Sequence, residues 1–321
     1  MTILCWAAAA GCSGEASALD PAGPGARRVE GLWWLMFAIS CAVFVVVLAF
    51  LAAAVIRSRR PTGSIQRDVP WGNRFVIVAG IIIPCLILGA LFVVSLRDMS
   101  ALSAPPEEPT VTIEVVARVW WWEIRYPEAE AVTANEIYIP ADESVQLRLL
   151  GTDVIHSFWV PRLQVKTDHI PDRVNTLWLK ADEPGRYRGQ CAEFCGIQHA
   201  NMIFWVEALP RAEFDSWLAE QAEPAQEPTG GAETGEEVFL RSACAGCHAV
   251  RGTEANAQVG PDLTHLAERE TIVAGVLSNT RANLRRFIED PQEVKPGIIM
   301  PPVELADEEM EALLDYLEQL D

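Results

Sequence analysis

The chain has 321 residues, enough for two or three domains, and 50% of them are apolar, more than a soluble protein of this size needs. Its formal net charge of -19 argues against nucleic acid as a partner and suits either a solvated surface or attraction to basic proteins. The eight cysteines are not spaced as a disulfide framework: Cys5, Cys12, Cys41 and Cys85 lie in apolar segments, and the rest form two close pairs near histidines, which points to metal or haem.

Residues 1–11 form a short apolar stretch ending Ala9-Ala10-Gly11 before Cys12. The pattern resembles a bacterial lipoprotein signal cleaved before a lipid-bearing cysteine, although no Lys or Arg precedes it and position 9 is Ala where a larger aliphatic residue is usual. Two uncharged stretches follow, 25 residues from Leu32 to Ile56 and 22 from Phe75 to Leu96. At about 1.5 Å per residue each is long enough to cross a hydrocarbon core of roughly 30 Å, so both read as transmembrane helices, the second kinked at Pro84. The loop between them carries Arg57, Arg59, Arg60, Arg67 and Arg74 against a single acid, Asp68, which places it in the cytoplasm and both ends of the hairpin outside.

After a proline-rich joint at 104–109, the segments 110–126, 131–140, 145–150, 175–179 and 202–208 are rich in Val, Ile and aromatics and are separated by turn residues. They predict a compact β-sandwich or barrel over 105–212. Trp120, Trp121 and Trp122 stand in a row, so strand alternation turns at least one indole outward. Within 191–202, Cys191, Cys195, His199 and Met202 recur at intervals of four, four and three. Two soft sulfurs, an imidazole and a thioether suit copper, and His156 in the run Asp153 to Trp159 is the distant nitrogen that a folded sheet would bring alongside. The same spacing describes a helix face, yet Gly189, Gly196 and the Pro184-Gly185 turn favour a loop. A Cys191 to Cys195 disulfide or a tetrahedral zinc site would also use these residues, although Met202 argues against zinc.

Residues 219–235 are Glu, Ala, Gln, Pro, Thr and Gly without apolar periodicity and read as a flexible acidic linker. A new domain over 236–321 follows. Cys244-Ala245-Gly246-Cys247-His248 is the c-type haem attachment pattern, with two thiols for the vinyl groups and His248 for one axial position. Met300, in the proline-rich run Lys295 to Pro302, is the choice for the second axial position. His265 is the alternative, and Met310 falls inside an amphipathic C-terminal helix expected at 307–320. Further helices are expected near 235–242 and 284–289.

The motifs His156-Ser157-Phe158-Trp159-Val160-Pro161 and Cys191-x-Glu193-x-Cys195-Gly196-x-x-His199-x-x-Met202 closely resemble subunit II of the haem-copper cytochrome c oxidases, and 232–321 resembles class I cytochrome c. The resemblance implies a multidomain chain: a two-helix transmembrane hairpin, an all-β cupredoxin-like sandwich and an all-α cytochrome c domain. It implies that Cys191 and Cys195 bridge two coppers of a CuA centre, that His156 and His199 cap one each, that Met202 is a weak ligand and that the Glu193 carbonyl serves the other copper. The Glu193 side chain would then bind a magnesium or manganese ion shared with subunit I, Trp120 would be the residue through which electrons arrive, and the Pro261 carbonyl would orient His248. The implied function is that of the fused subunit II of a proton-pumping oxidase, an oxidoreductase and translocase of the respiratory chain. It would take electrons from an external donor such as a c-type cytochrome through its haem c, pass them to CuA, and deliver them to subunit I for reduction of oxygen to water. Subunit III and the lipid bilayer are further implied partners, the bacterial inner membrane the location, and the periplasmic face the site of both metal domains. A free-standing electron carrier, a copper chaperone and the copper domain of a nitrous oxide reductase are competing readings. Two departures stand out. Phe75 to Ile83 has neither the acidic residue nor the Trp often found near the start of the second helix, and Asp172 replaces the usual Gly of a Pro-Gly turn.

Overall fold

The computed structural model describes residues 14–59, 70–105 and 107–321. The expected signal at 1–11, Cys12 and most of the arginine-rich loop lie outside the described residues. The chain divides into two units, residues 27–104 and the remainder.

The first unit is helical. Helix α1 (Pro24–Ser58) extends the expected span at both ends, and the second span consists of α2 (Pro70–Ile77), a π-turn (Val78–Ile82) and α3 (Ile83–Leu102). Pro84 has no N–H to donate, and the ladder adjusts immediately before it: Ile83 N–H donates to Val78 O, five residues back. A wide turn at this point is how an interior proline is accommodated without breaking the helix. The large apolar side chains of both helices are exposed, among them Phe44, Val45, Leu86 and Phe92, as lipid-facing helices require.

The second unit begins with a sandwich of two five-stranded sheets. One contains β1 (Val111–Arg118), β2 (Trp121–Tyr126), β3 (Ala131–Ala134), β5 (Val145–Gly151) and β8 (Asn175–Leu179) in the order β3-β2-β1-β5-β8. The other contains β4 (Glu136–Pro140), β6 (His156–Trp159), β7 (Thr167–His169), β9 (Gly185–Cys191) and β10 (Ile203–Leu209) in the order β4-β10-β9-β6-β7. Ile113, Val115, Ile124 and Leu147 from the first sheet meet Ile137, Phe158, Phe204 and Val206 from the second in one buried core. Strands β6 and β9 have weak apolar alternation, so sequence patterning does not separate them from loop, yet they hold the site. Asp172 adopts φ +60°, a left-handed conformation that Asp tolerates better than most residues, so the turn keeps its shape without glycine.

The expected linker at 219–235 requires correction. Helix α4 (Arg211–Ala222) runs into it and α5 (Gly231–Arg241) starts within it. Composition misleads here because a few side chains anchor each helix. Phe214 is fully buried and Trp217 stacks on Tyr138 with ring centroids 4.0 Å apart. In α5, Ala232, Val238 and Phe239 are buried, and Gly235 lets α5 approach α8 (Asp307–Leu317) closely: a Cβ there would lie 2.0 Å from Ala312 O. The remaining helices are α6 (Arg281–Glu289) and the short α7 (Pro291–Val294), with a two-stranded hairpin, β11 (Thr271–Ile272) and β12 (Leu277–Ser278). The all-α expectation omitted this hairpin.

The helical domain is docked on the sandwich. Thr271 donates its N–H and its hydroxyl to Glu136 Oε1, each at 2.9 Å, Ile203 N–H donates to Ala274 O at 3.1 Å, and Gln198 Nε2 donates to Pro296 O at 2.7 Å.

Candidate copper and haem sites

Strand pairing assembles the first site. In the β6–β9 ladder Phe158 is opposite Cys191, which sets His156 beside the end of β9. The loop that follows is closed at its base, where Cys191 N–H donates to Met202 O at 3.0 Å and β10 begins at the next residue. Residues 35 apart therefore converge. Cys191 Sγ lies 3.9 Å from His156 Nδ1, 3.2 Å from Glu193 O and 3.8 Å from Cys195 Sγ, and Cys195 Sγ lies 3.7 Å from His199 Nδ1 and 3.9 Å from Met202 Sδ. His156, Met202, Cys191 and Cys195 are buried. His199 is held in a short 3₁₀ turn, His199–Asn201, so the loop is not a helix face. The sulfur separation is far from the roughly 2.05 Å of a disulfide. A hydrogen bond from the Cys195 thiol holds Cys191 well below the usual thiol range, against the effect of burial.

Asp153 orients the distant ligand. Its carboxylate meets His156 Nε2 at 2.7 Å and accepts from Val154 N–H at 2.7 Å and Val119 N–H at 2.8 Å. Burial opposes protonation of His156, but the bonds with Asp153 and Cys191 outweigh it and raise its pKa. A carboxylate on the far ring nitrogen fixes which nitrogen faces the thiolates. Its sequence signal is an acid three residues before His156. The Glu193 carboxylate is 46% exposed and 3.7 Å from Lys166 Nζ.

The second site is an apolar cavity lined by Cys244, Cys247, His248, Pro261, Leu284 and Met300, among others. His248 Nδ1 is 2.7 Å from Pro261 O, and burial lowers its pKa. This bond holds the Nδ1–H, so Nε2 is free to ligate. Gly260 lies against the ring, where a Cβ would sit 2.5 Å from His248 Cε1. Met300 lines the cavity. His265 does not, and its Nε2 faces Glu223 O at 3.1 Å, while Met310 is packed in the core of α8.

The two sites are neighbours. Val119, Trp120 and Trp121 from the sandwich also line the cavity, and Trp120 Nε1–H donates to Cys195 O at 2.9 Å. Trp122 is fully buried among Phe158, Phe204 and His156. The three adjacent indoles thus divide between core and domain contact.

Residues 131–209 match the family model for the cytochrome c oxidase subunit II periplasmic domain, and 232–321 match that for cytochrome c. Cytochrome c oxidase subunit 2 of Alkalihalophilus pseudofirmus is 38% identical over 97% of this chain and 93% of its own length. The protein of the same name from Bacillus subtilis is 33% identical over 95% and 91%. The chain belongs to the cytochrome c oxidase subunit II family. The periplasmic domain of subunit II of cytochrome oxidase from Bradyrhizobium japonicum is 30% identical, covering 36% of this chain and 95% of that one, with a TM-score of 0.35.

As a subunit II, the chain is an electron-transfer component of an oxidase, a membrane protein with an outward-facing domain that associates with other oxidase subunits. The family implies copper in the sandwich and haem in the cytochrome c domain, and the residues fit both. Two thiols at non-bonded distance with imidazole, thioether and carbonyl donors around them form a soft set suited to copper. Free Cys244 and Cys247 beside a cavity that Gly260 keeps open against His248 suit a covalently attached macrocycle. A second buried group beside the sites that residue spacing does not reveal is Lys295. It lines the haem cavity, and burial pushes its pKa down to about 7.

Proposed function

We propose that the copper domain, 105–212, and the haem domain, 236–321, form one fixed electron path through Trp120. The two cofactors supply reversible one-electron carriage, from an external donor such as a c-type cytochrome to subunit I, where oxygen is reduced and protons are pumped. Cys191 and Cys195 would hold two coppers between them, with His156, His199, Met202 and the Glu193 carbonyl as the remaining donors. Cys244 and Cys247 would attach the haem, with His248 and Met300 as the residues that would ligate its iron. Trp120 carries the reading: its indole N–H is bonded to the backbone of a copper-loop cysteine while the residue lines the haem cavity. Asp153 holds His156 in one tautomer, and the Pro261 carbonyl does the same for His248. Burial of the sulfurs excludes water, so little solvent must reorganise when charge arrives.

The Glu193 carboxylate points out of the loop and supports a magnesium or manganese ion shared with subunit I. Subunit III and a bacterial inner membrane complete the setting, with both metal domains periplasmic. A haem-free copper chaperone would leave Cys244 to His248 unused, and a soluble reductase would leave the two lipid-facing helices unused. Paramagnetic resonance of the copper-loaded, haem-bearing protein tests the central claim. Hyperfine splitting from two equivalent coppers sharing one unpaired electron is expected, and one copper or one zinc per chain overturns it.

A further inference from the structure

Lys295 follows α7 on the haem side and is only 3% exposed. Among the described residues no carboxylate stands within ion-pair distance of it. Its Nζ instead donates to three backbone carbonyls: Trp120 O at 2.8 Å, Asn201 O at 2.8 Å and Val273 O at 3.2 Å. The first two belong to the copper domain, in the turn between β1 and β2 and in the loop just before Met202. The third belongs to the haem domain, just after β11. An ammonium has three donors and no acceptor, so this is the one protonation state that serves all three oxygens. Removing it leaves three carbonyls at the contact without this donor, a costly outcome where water is excluded.

Trp120 is gripped from several sides at this point. Lys295 holds its carbonyl and Cys195 O accepts from its indole N–H. Its ring lies against Gly196, whose Cβ, if present, would be 2.9 Å from Trp120 Cζ2. The other nearby cross-domain bonds, from Ile203 N–H to Ala274 O and from Gln198 to Pro296 O, are neutral and single. Charge-assisted bonds are the stronger kind, and Lys295 makes three from one atom.

We propose that Lys295 is a positioning residue for electron transfer: its ammonium pins the haem domain to the copper domain in a single register and fixes Trp120 between the two sites. The proposal rests on the functional reading above and adds to it the device that orders the contact at Trp120. Elsewhere the domains are joined by the Thr271 bonds to Glu136 and the Arg186–Glu270 ion pair, so loss of Lys295 would loosen the contact at Trp120 itself, and transfer would wait on its return.

The test is Lys295→Met in the full-length, copper- and haem-loaded protein. The two-copper resonance and haem absorption are expected to persist. Hydrogen exchange of the Ile203 amide, which bonds across the contact, should accelerate about tenfold or more, as loss of a bond to a charged group implies. Flash-initiated transfer between haem and copper should slow by a similar factor, about tenfold, and become sensitive to solvent viscosity. A merely structural lysine would lower thermal stability and leave the rate in folded molecules viscosity-independent. Unchanged exchange at Ile203 and an unchanged, viscosity-independent rate in a variant with intact spectra overturn the proposal. Should Lys295→Met fail to load copper or haem, Lys295→Gln, which keeps two donors, decides by the same measurements. A smaller change in the same direction supports the pin, and no change overturns it. Failure of the underlying functional reading shows separately, as a wild-type protein without a two-copper signal.

Discussion

Gly260→Ala probes how His248 is held. The added Cβ would lie 2.5 Å from His248 Cε1, 2.9 Å from Nδ1 and 3.0 Å from Nε2, whereas carbon atoms in contact settle at about 3.5 to 4.0 Å. The ring or the loop must therefore move by about 1 Å. The bond from Nδ1 to Pro261 O is now 2.7 Å, and such a shift takes it beyond the roughly 3.2 Å limit of a good N–H···O bond. Overpacking costs about 1 to 3 kcal/mol and loss of the bond about 1 kcal/mol more, so a loss of about 2 to 4 kcal/mol is expected. Denaturant unfolding followed at the haem absorption measures it. Haem should remain covalently attached through Cys244 and Cys247, while the low-spin spectrum weakens and the reduction potential shifts, because the ring no longer has a fixed partner on its far nitrogen. A variant within about 0.5 kcal/mol of wild type and with an unaltered spectrum would refute the reasoning, since the ring could not then lie where Gly260 makes room for it.

Trp120→Ala removes the indole bond to Cys195 O from a half-buried position. It should cost about 1 to 3 kcal/mol and slow copper reduction by haem while copper content and resonance stay intact; an unchanged rate points to Trp121 as the contact. Met300→Ala should leave haem attached but abolish the red-edge absorption of a sulfur-to-iron bond, whereas His265→Ala should preserve it; the reverse pattern would exchange their roles. Glu207 is pushed up to about 7, first by burial and then by the charge of Glu136, against the opposing Arg186. Its folded pKa exceeds the unfolded value, so its stabilisation is complete below about pH 4 and is lost as pH rises through about 7. The melting temperature should fall between pH 5 and 8, and Glu207→Gln should flatten that fall; an equally steep profile in the variant removes Glu207 as a cause.

Covalent and coordination chemistry was legible along the chain because it depends on residue type and local spacing. Cys244 to His248 needs no tertiary partner to be read, and the rhythm of Cys191, Cys195, His199 and Met202 names soft donors before any fold is known. The two long apolar spans were equally plain, since a membrane demands unbroken length. Strands β6 and β9 were not legible: β6 is only four residues long, and the buried face of β9 is Tyr187, Gly189 and Cys191, with too little apolar side chain to mark a strand. The supposed linker failed for a related reason. Phe214 and Trp217 before it and Val238 and Phe239 after it are too sparse to form a periodic pattern, yet all but the half-buried Trp217 are fully buried, and a few buried large side chains are enough to order a short helix that extends into such a segment.

What the sequence determined by itself is the list of donors and the order of domains. Only the tertiary structure decided which donors meet, because pairing of β6 with β9 brings His156 to Cys191 across 35 residues. It also separates Met300, which lines the cavity, from His265, which does not. The contact between the two metal domains was beyond sequence reasoning altogether. Part of it is the convergence of the backbone carbonyls of Trp120, Asn201 and Val273 on one lysine, and a carbonyl belongs to every residue, so no residue type records where three of them will point.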